Sequence, residues 1–232
     1  MSAAPMRSAS TVSTGRAAGP GGVRASLSAA LLSAWAKPVA WVLLLLPLAW
    51  LVALAATDGL GANPAEALIR ATGDWTLRLL CGVLAVTPLR VIGRLPALAR
   101  FRRLLGLFAF FYALVHLACY SLFDMGLEWG DIGRDILKRP FILVGFTACV
   151  LMLPLALSSF NAAIKAMGGR RWQALHRGVY AVALLGLLHF FWMRAGKHNF
   201  AEVALYAAVI AALLGWRLQQ AWLKRRRAGR VA

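Results

Sequence analysis

Six stretches of this chain are apolar and almost free of charge over lengths that suit a lipid bilayer, and that property limits what it can fold into. A hydrocarbon core takes about 20 helical residues to cross, somewhat fewer where neighbouring helices or a thin bilayer help. Pro38 to Thr57 carries no charge, Trp75 to Leu89 carries one, Arg78, and Leu104 to Phe123 is again uncharged. Phe141 to Ile164 is the longest stretch, Trp172 to Met193 has Arg177 near its start, and Phe200 to Trp216 has Glu202 near its start. Pro47, Pro88 and Pro154 lie within or at the ends of these segments, which membrane helices tolerate better than soluble ones. The expected fold is an all-α integral membrane protein, a six-helix transmembrane bundle over residues 38–220.

Charge sets the expected orientation. The chain has 26 Lys and Arg against 8 Asp and Glu, a formal net charge of +18, which at first sight invites a nucleic-acid reading. Sorted by loop, nineteen of the basic residues fall on one side of the membrane with no acidic residue among them, and all eight acidic residues fall on the other. Basic loops stay cytoplasmic, so both termini are expected inside, and the charge reads as topology rather than as an affinity for nucleic acid. The basic tail, residues 221–232 with Lys224 to Arg227, either touches anionic lipid or stops the last helix.

Residues 1–37 are rich in Ser, Ala, Gly and Arg, lack acidic residues and lack an apolar signal-peptide segment. They read as a disordered basic cytoplasmic extension, with an organellar transit peptide or an overlong gene start as alternatives. The outward loop from Asp124 to Pro140 alternates apolar and charged residues and is expected to form a short surface helix, a candidate docking surface.

The chemistry-bearing residues are few. Cys81, Cys119 and Cys149 lie on three different spans without CxxC spacing and read as apolar filler. No phosphate-binding glycine loop, Ser-His-Asp set or intramembrane carboxylate pair occurs. Histidine remains: His116, His176 and His189 lie within the third and fifth spans, and His198 lies in the loop before the sixth. An ionisable side chain at membrane depth is costly and marks function, unless it is a neutral imidazole bonded to a neighbouring helix.

Spans three and five run in the same direction, so heights along them compare directly. His116 lies about 18 Å above Leu104 and His189 about 21 Å above Leu175, which lets the two meet at one level. Paired neutral imidazoles in a bundle interior form a bis-His cradle for a b-type haem. Phe108, Phe111, Tyr112, Tyr180, Gly186 and Phe190 are the expected surroundings. His176 lies roughly 20 Å lower and some 140° off the same helix face. Arg102 and Arg103 stand where its partner on span three would be, so His176 is either a ligand of a second, inner haem or an interfacial polar residue. Arg78 is assigned to a haem propionate, with snorkelling beside Trp75 as the alternative. Arg90, Arg103 and Arg177 serve either a phosphate or propionate group, or topology alone. Trp35, Trp41, Trp172, Trp192 and Trp216 lie near span ends, as interfacial anchors do.

Four segments, in order, carry a resemblance: TGDWTLRLLCGVLAVTPLR, LGLFAFFYALVHLACYSLFD, KRPFILVGF and RRWQALHRGVYAVALLGLLHFFW. Together they resemble the MsrQ family, the haem-binding membrane subunits of the bacterial periplasmic methionine sulfoxide reductase system, within the ferric-reductase-like transmembrane group. The resemblance covers roughly residues 38–220. It implies an inner-membrane electron carrier containing haem b, one or two per chain, with FMN also associated. Electrons would come from the quinone pool or a cytosolic flavin reductase. They would pass to a periplasmic molybdopterin enzyme that repairs oxidised proteins, this chain being the non-catalytic electron-transfer subunit. His116 and His189 match the family's haem-iron ligands, and His176 matches its remaining histidine. The alternatives are a stand-alone ferric reductase and, from other classes, a small transporter or a membrane scaffold.

Overall fold

The computed structural model of the protein describes residues 20–195 and 200–229. His198 therefore lies outside the described residues, as do residues 1–19. Six helical segments are long and apolar enough to cross a membrane: Ala36–Ala56, Pro64–Ile92, Pro96–Asp124, Pro140–Leu157, Gly169–Ala195 and Ala201–Ala228. The protein is a multi-pass membrane protein with the helical architecture expected from its apolar stretches.

The first two spans show how polar and proline residues are accommodated. Helix α1 (Pro20–Leu32) precedes α2 (Ala36–Ala56), so ordered structure reaches into the segment expected to be disordered. Arg100 fastens the end of α1: its Nη1 donates to Leu31 O at 2.8 Å, a carbonyl that the last turn of α1 leaves free, and to Ser33 O at 3.4 Å, which also accepts from Ala36 N. In α2, Pro47 removes one backbone donor. The fully buried Tyr112 inserts its hydroxyl beside that break, donating to Leu44 O at 2.8 Å and accepting from Leu48 N at 3.2 Å. Helix α3 (Pro64–Ile92) begins well before Trp75, where the apolar stretch starts. Asn63 caps it by accepting from Glu66 N at 3.1 Å, and Pro64 occupies the first turn. The charges that hide this start from a hydropathy reading are paired: Arg70 with Glu66 one turn earlier, and Asp74 with Arg194 at 3.9 Å.

A short 3-10 turn, Pro96–Phe101, leads into α4 (Arg102–Cys119), whose C-terminal end widens into a π-helical turn over Tyr120–Asp124. The segment between the third and fourth spans forms the expected short helix, α5 (Trp129–Lys138), which buries Ile132 and Ile136 against Tyr120 and is tied down by Tyr120 Oη donating to Asp135 Oδ2 at 2.6 Å. Helix α6 (Pro140–Leu157) stops short of Ile164. Ser158 Oγ donates to Pro154 O at 2.7 Å and Ser159 Oγ to Leu155 O at 2.7 Å, local bonds that compete with helix continuation. Two short helices, α7 (Asn161–Met167) and α8 (Gly169–His176), turn about Gly168, whose φ of 74° suits glycine. The fifth span is therefore interrupted at Arg177 before α9 (Gly178–Ala195), and α10 (Ala201–Ala228) runs well past Trp216.

The bundle is built from two antiparallel pairs, α3 with α4 and α6 with α9, while α10 closes against α3 and α9. Lipid gives no hydrophobic drive for helices to associate, so close packing must supply it. The interface residues are suited to this: Ala109 and Ala183 are wholly buried, with Leu80, Phe108, Met152 and Val182 interdigitating around them. The face of α2 turned away from the bundle, with Val42, Leu46 and Trp50, is exposed, as suits a helix against lipid.

Candidate functional site

The two antiparallel pairs each direct one histidine toward the middle of the bundle. His116 on α4 donates from Nδ1 to Ile69 O of α3 at 2.8 Å, with Thr72 Oγ1 at 3.5 Å. His189 on α9 donates from Nδ1 to Phe141 O of α6 at 2.7 Å, and its ring stacks on Phe141 at 6.5 Å and 29°. A carbonyl oxygen only accepts, so both imidazoles carry their proton on Nδ1 and keep the Nε2 lone pair. The ring centroids are 6.1 Å apart with the planes at 75°. That separation is about what two metal–nitrogen bonds of roughly 2 Å and the two ring radii add up to.

Both rings line one cavity of about 250 Å³, walled by apolar residues such as Leu77, Ala113 and Phe190 and by Gly73, Gly145 and Gly186. Arg70, Arg139 and Arg194 also line it, with Asp74 and Asp124. These cations are held in place by acidic partners: Arg139 Nε lies 2.7 Å from Asp135 Oδ1, and Arg194 Nη2 lies 2.6 Å from Glu202 Oε2. Cys149 contributes to the wall, and all three cysteines are free.

The structure thus brings His116 and His189 together, as their heights predict. It does not bring Arg78 to them. Arg78 Nε donates to Tyr206 Oη at 3.1 Å and its guanidinium lies 5.0 Å from the Trp75 ring, on the side of α3 that faces α10. Of the expected surroundings, Gly186 and Phe190 are on the cavity wall. Phe108, Phe111 and Tyr112 instead form an aromatic cluster with Trp41 and Trp75, and Tyr180 packs near Arg217. The carbonyl acceptors and the three cavity arginines could not be read from the sequence, because each depends on how two helices pair. A partial signal existed: Arg70, Arg139 and Arg194 all fall at span ends on the same side.

His176 lies at the other end of the bundle. Ser158 Oγ lies 2.7 Å from Pro154 O and shares a hydrogen bond with His176 Nε2 at 3.1 Å, while Trp172 stacks on the imidazole at 4.0 Å and 29° and donates from Nε1 to Ser158 O at 2.9 Å. His176 lines a second cavity, also about 250 Å³, together with Trp172, Arg102 and Arg103. It is the one histidine on that wall among the described residues. Arg103 Nη1 donates to Asn161 Oδ1 at 2.9 Å. Leu80, Met152 and Val182 belong to both cavities, so a single layer of apolar side chains separates them.

A membrane bundle with two facing, carbonyl-anchored imidazoles defines a class, and comparison with known proteins agrees: the family model described as ferric reductase like transmembrane component matches residues 72–187. Among curated proteins, the chain is 68% identical over 197 residues to the protein-methionine-sulfoxide reductase heme-binding subunit MsrQ of Polaromonas naphthalenivorans, covering 85% of this chain and 90% of that one. It is 55% identical to the subunit of the same name from Ralstonia nicotianae, covering 78% and 84%, and 49% identical to that of Herminiimonas arsenicoxydans, covering 82% and 87%. No solved structure matches the chain. The chain belongs to the MsrQ family, within the ferric-reductase-like transmembrane group.

Proposed function

We propose that this protein is a b-type cytochrome subunit that carries electrons across the bacterial inner membrane, both termini cytoplasmic, to a periplasmic methionine sulfoxide reductase. The observation that carries the reading is the pair of imidazoles, each anchored through Nδ1 and each keeping its Nε2 lone pair, 6.1 Å apart in one cavity. The relatives' name, heme-binding subunit of protein-methionine-sulfoxide reductase, supports the same cofactor and the same system.

The residues present suit a haem. His116 and His189 would be its axial ligands, and their Nδ1–H bonds to Ile69 O and Phe141 O fix the tautomer, orient the rings and raise their basicity. The apolar wall keeps water from the centre, and Arg70, Arg139 and Arg194, rather than Arg78, supply cations for propionates. Bound there, haem supplies reversible one-electron transfer, its potential set by ligation, burial and hydrogen bonding. His176 has no facing histidine among the described residues, which favours one haem per chain. FMN, if this chain binds it, would find cations and a stacked aromatic pair at the second cavity, in Arg102, Arg103, Trp172 and His176. The donor is the quinone pool or a cytosolic flavin reductase, and the acceptor is the molybdopterin-containing catalytic subunit, which repairs oxidised periplasmic proteins.

The test is an optical and pyridine-haemochrome spectrum of the detergent-purified chain, with haem counted per polypeptide. One low-spin haem b per chain is expected. A well-folded preparation with none, even after haem-supplemented expression, removes the cytochrome reading. Reduction of ferric chelates without the periplasmic subunit would point instead to a stand-alone ferric reductase, the activity that names the wider family.

A further inference from the structure

The two histidines are held by the same local device, used once in each half of the bundle. In a helix, the carbonyl of residue i lies beside residue i+4. His116 donates to Ile69 O, and the residue four further along α3 is Gly73; His189 donates to Phe141 O, and the residue four further along α6 is Gly145. A carbonyl has a second lone pair beyond the one its own helix uses, so it can take the imidazole N–H if the ring can reach it. A side chain at i+4 would stand in the way. A Cβ at Gly73 would lie 3.1 Å from His116 Cε1 and 3.2 Å from Nδ1. At Gly145 the approach is closer still, 2.7 Å to His189 Nδ1 and 2.8 Å to Cε1, ring atoms already held by a hydrogen bond.

From this geometry we propose that Gly73 and Gly145 are paired positioning residues: by leaving Ile69 O and Phe141 O open to Nδ1, they hold the two imidazole planes near perpendicular, at 75°. The inference rests on the haem reading above and adds what determines the ligand geometry. Gly145 is the more demanding of the two. Neither glycine is needed by its backbone conformation, since both lie within helices where Ala is the better helix former, so their value lies in the space they leave.

Ring-plane angle has its own spectroscopic signature. Near-perpendicular axial imidazoles leave the iron d orbitals that bond to them almost degenerate, which gives a highly anisotropic low-spin ferric signal with one large g value. Parallel rings lift the degeneracy and give a rhombic signal.

The experiment is low-temperature electron paramagnetic resonance of the full-length, haem-loaded protein, with haem content measured alongside. The wild type is expected to show the large-g signal. Gly145→Ala is expected to move it toward the rhombic form or to convert low-spin to high-spin iron, and Gly73→Ala to shift it in the same sense by less. Gly82→Ala, on α3 with open space around its would-be Cβ, is expected to leave it unchanged and controls for helix propensity. If Gly145→Ala does not yield folded protein, Gly73→Ala decides. A rhombic wild-type signal, or g values that neither variant moves while haem is retained, would overturn this inference and leave the haem reading standing. A wild-type chain with no low-spin haem would remove both.

Discussion

The two ends of the bundle carry the same residue type in very different settings. At one end His116 and His189 face one another, each with a backbone carbonyl behind it and cations close by. At the other, His176 has its Nε2 occupied by Ser158, a tryptophan against its face and arginines where a second histidine would be needed. A ligand needs a free lone pair, a fixed ring and a partner across the gap. The first end meets all three conditions, whereas the second offers no facing histidine among the described residues. Under the proposed function, the two settings separate a pair of axial ligands from a histidine in a different role. The neighbouring helix must supply an acceptor for the ring's other nitrogen.

Substituting the histidines would disturb this contrast most. His116→Ala and His189→Ala are each expected to abolish the low-spin haem spectrum while the protein still elutes as a folded species in size-exclusion chromatography. His176→Ala is expected to retain it; a halving of haem per chain in that variant would show that the second end binds iron after all.

Next in size is the cationic rim. Charge-assisted hydrogen bonds contribute about 1.5–3 kcal/mol, so Arg194→Gln should weaken haem retention roughly tenfold or more, read as the rate of haem loss to an apoprotein acceptor. Arg78→Gln, bonded instead to Tyr206, should leave that rate unchanged. The opposite ranking would return the propionate role to Arg78.

Smaller changes separate stability from cofactor geometry. Tyr112→Phe removes both bonds that bridge α2 at Pro47 and should cost about 1–2 kcal/mol, seen as a lower midpoint of thermal unfolding with an unaltered haem spectrum. Ser158→Ala frees His176 Nε2 at the far end and is expected to leave the haem spectrum as it is. A spectral change there would mean that the two cavities are coupled through Leu80, Met152 and Val182.

Much of this architecture could be read in advance. Apolar length alone located six spans, because a bilayer imposes a length on any helix that crosses it. The heights of His116 and His189 followed from residue counts, because helical rise is constant. Less legible were the places where polar groups satisfy one another across helices. The start of α3 at Pro64 was hidden by Glu66, Arg70 and Asp74, charges that count against a span until Arg194 and the i,i+4 pairing neutralise them. The end of α6 at Leu157 depends on two serine hydroxyls turning back onto their own helix, which hydropathy does not register.

By itself, then, the sequence determined that this chain lives in a membrane, how many times it crosses, and which two histidines reach the same depth, since these follow from periodicity, length and hydrophobicity along one dimension. Only the tertiary structure decided which carbonyls orient those histidines, which arginines stand beside them and why His176 is left apart. Those choices depend on which helix lies beside which. At Gly73 and Gly145 the missing side chain leaves the space that the His116 and His189 rings occupy against the neighbouring helix.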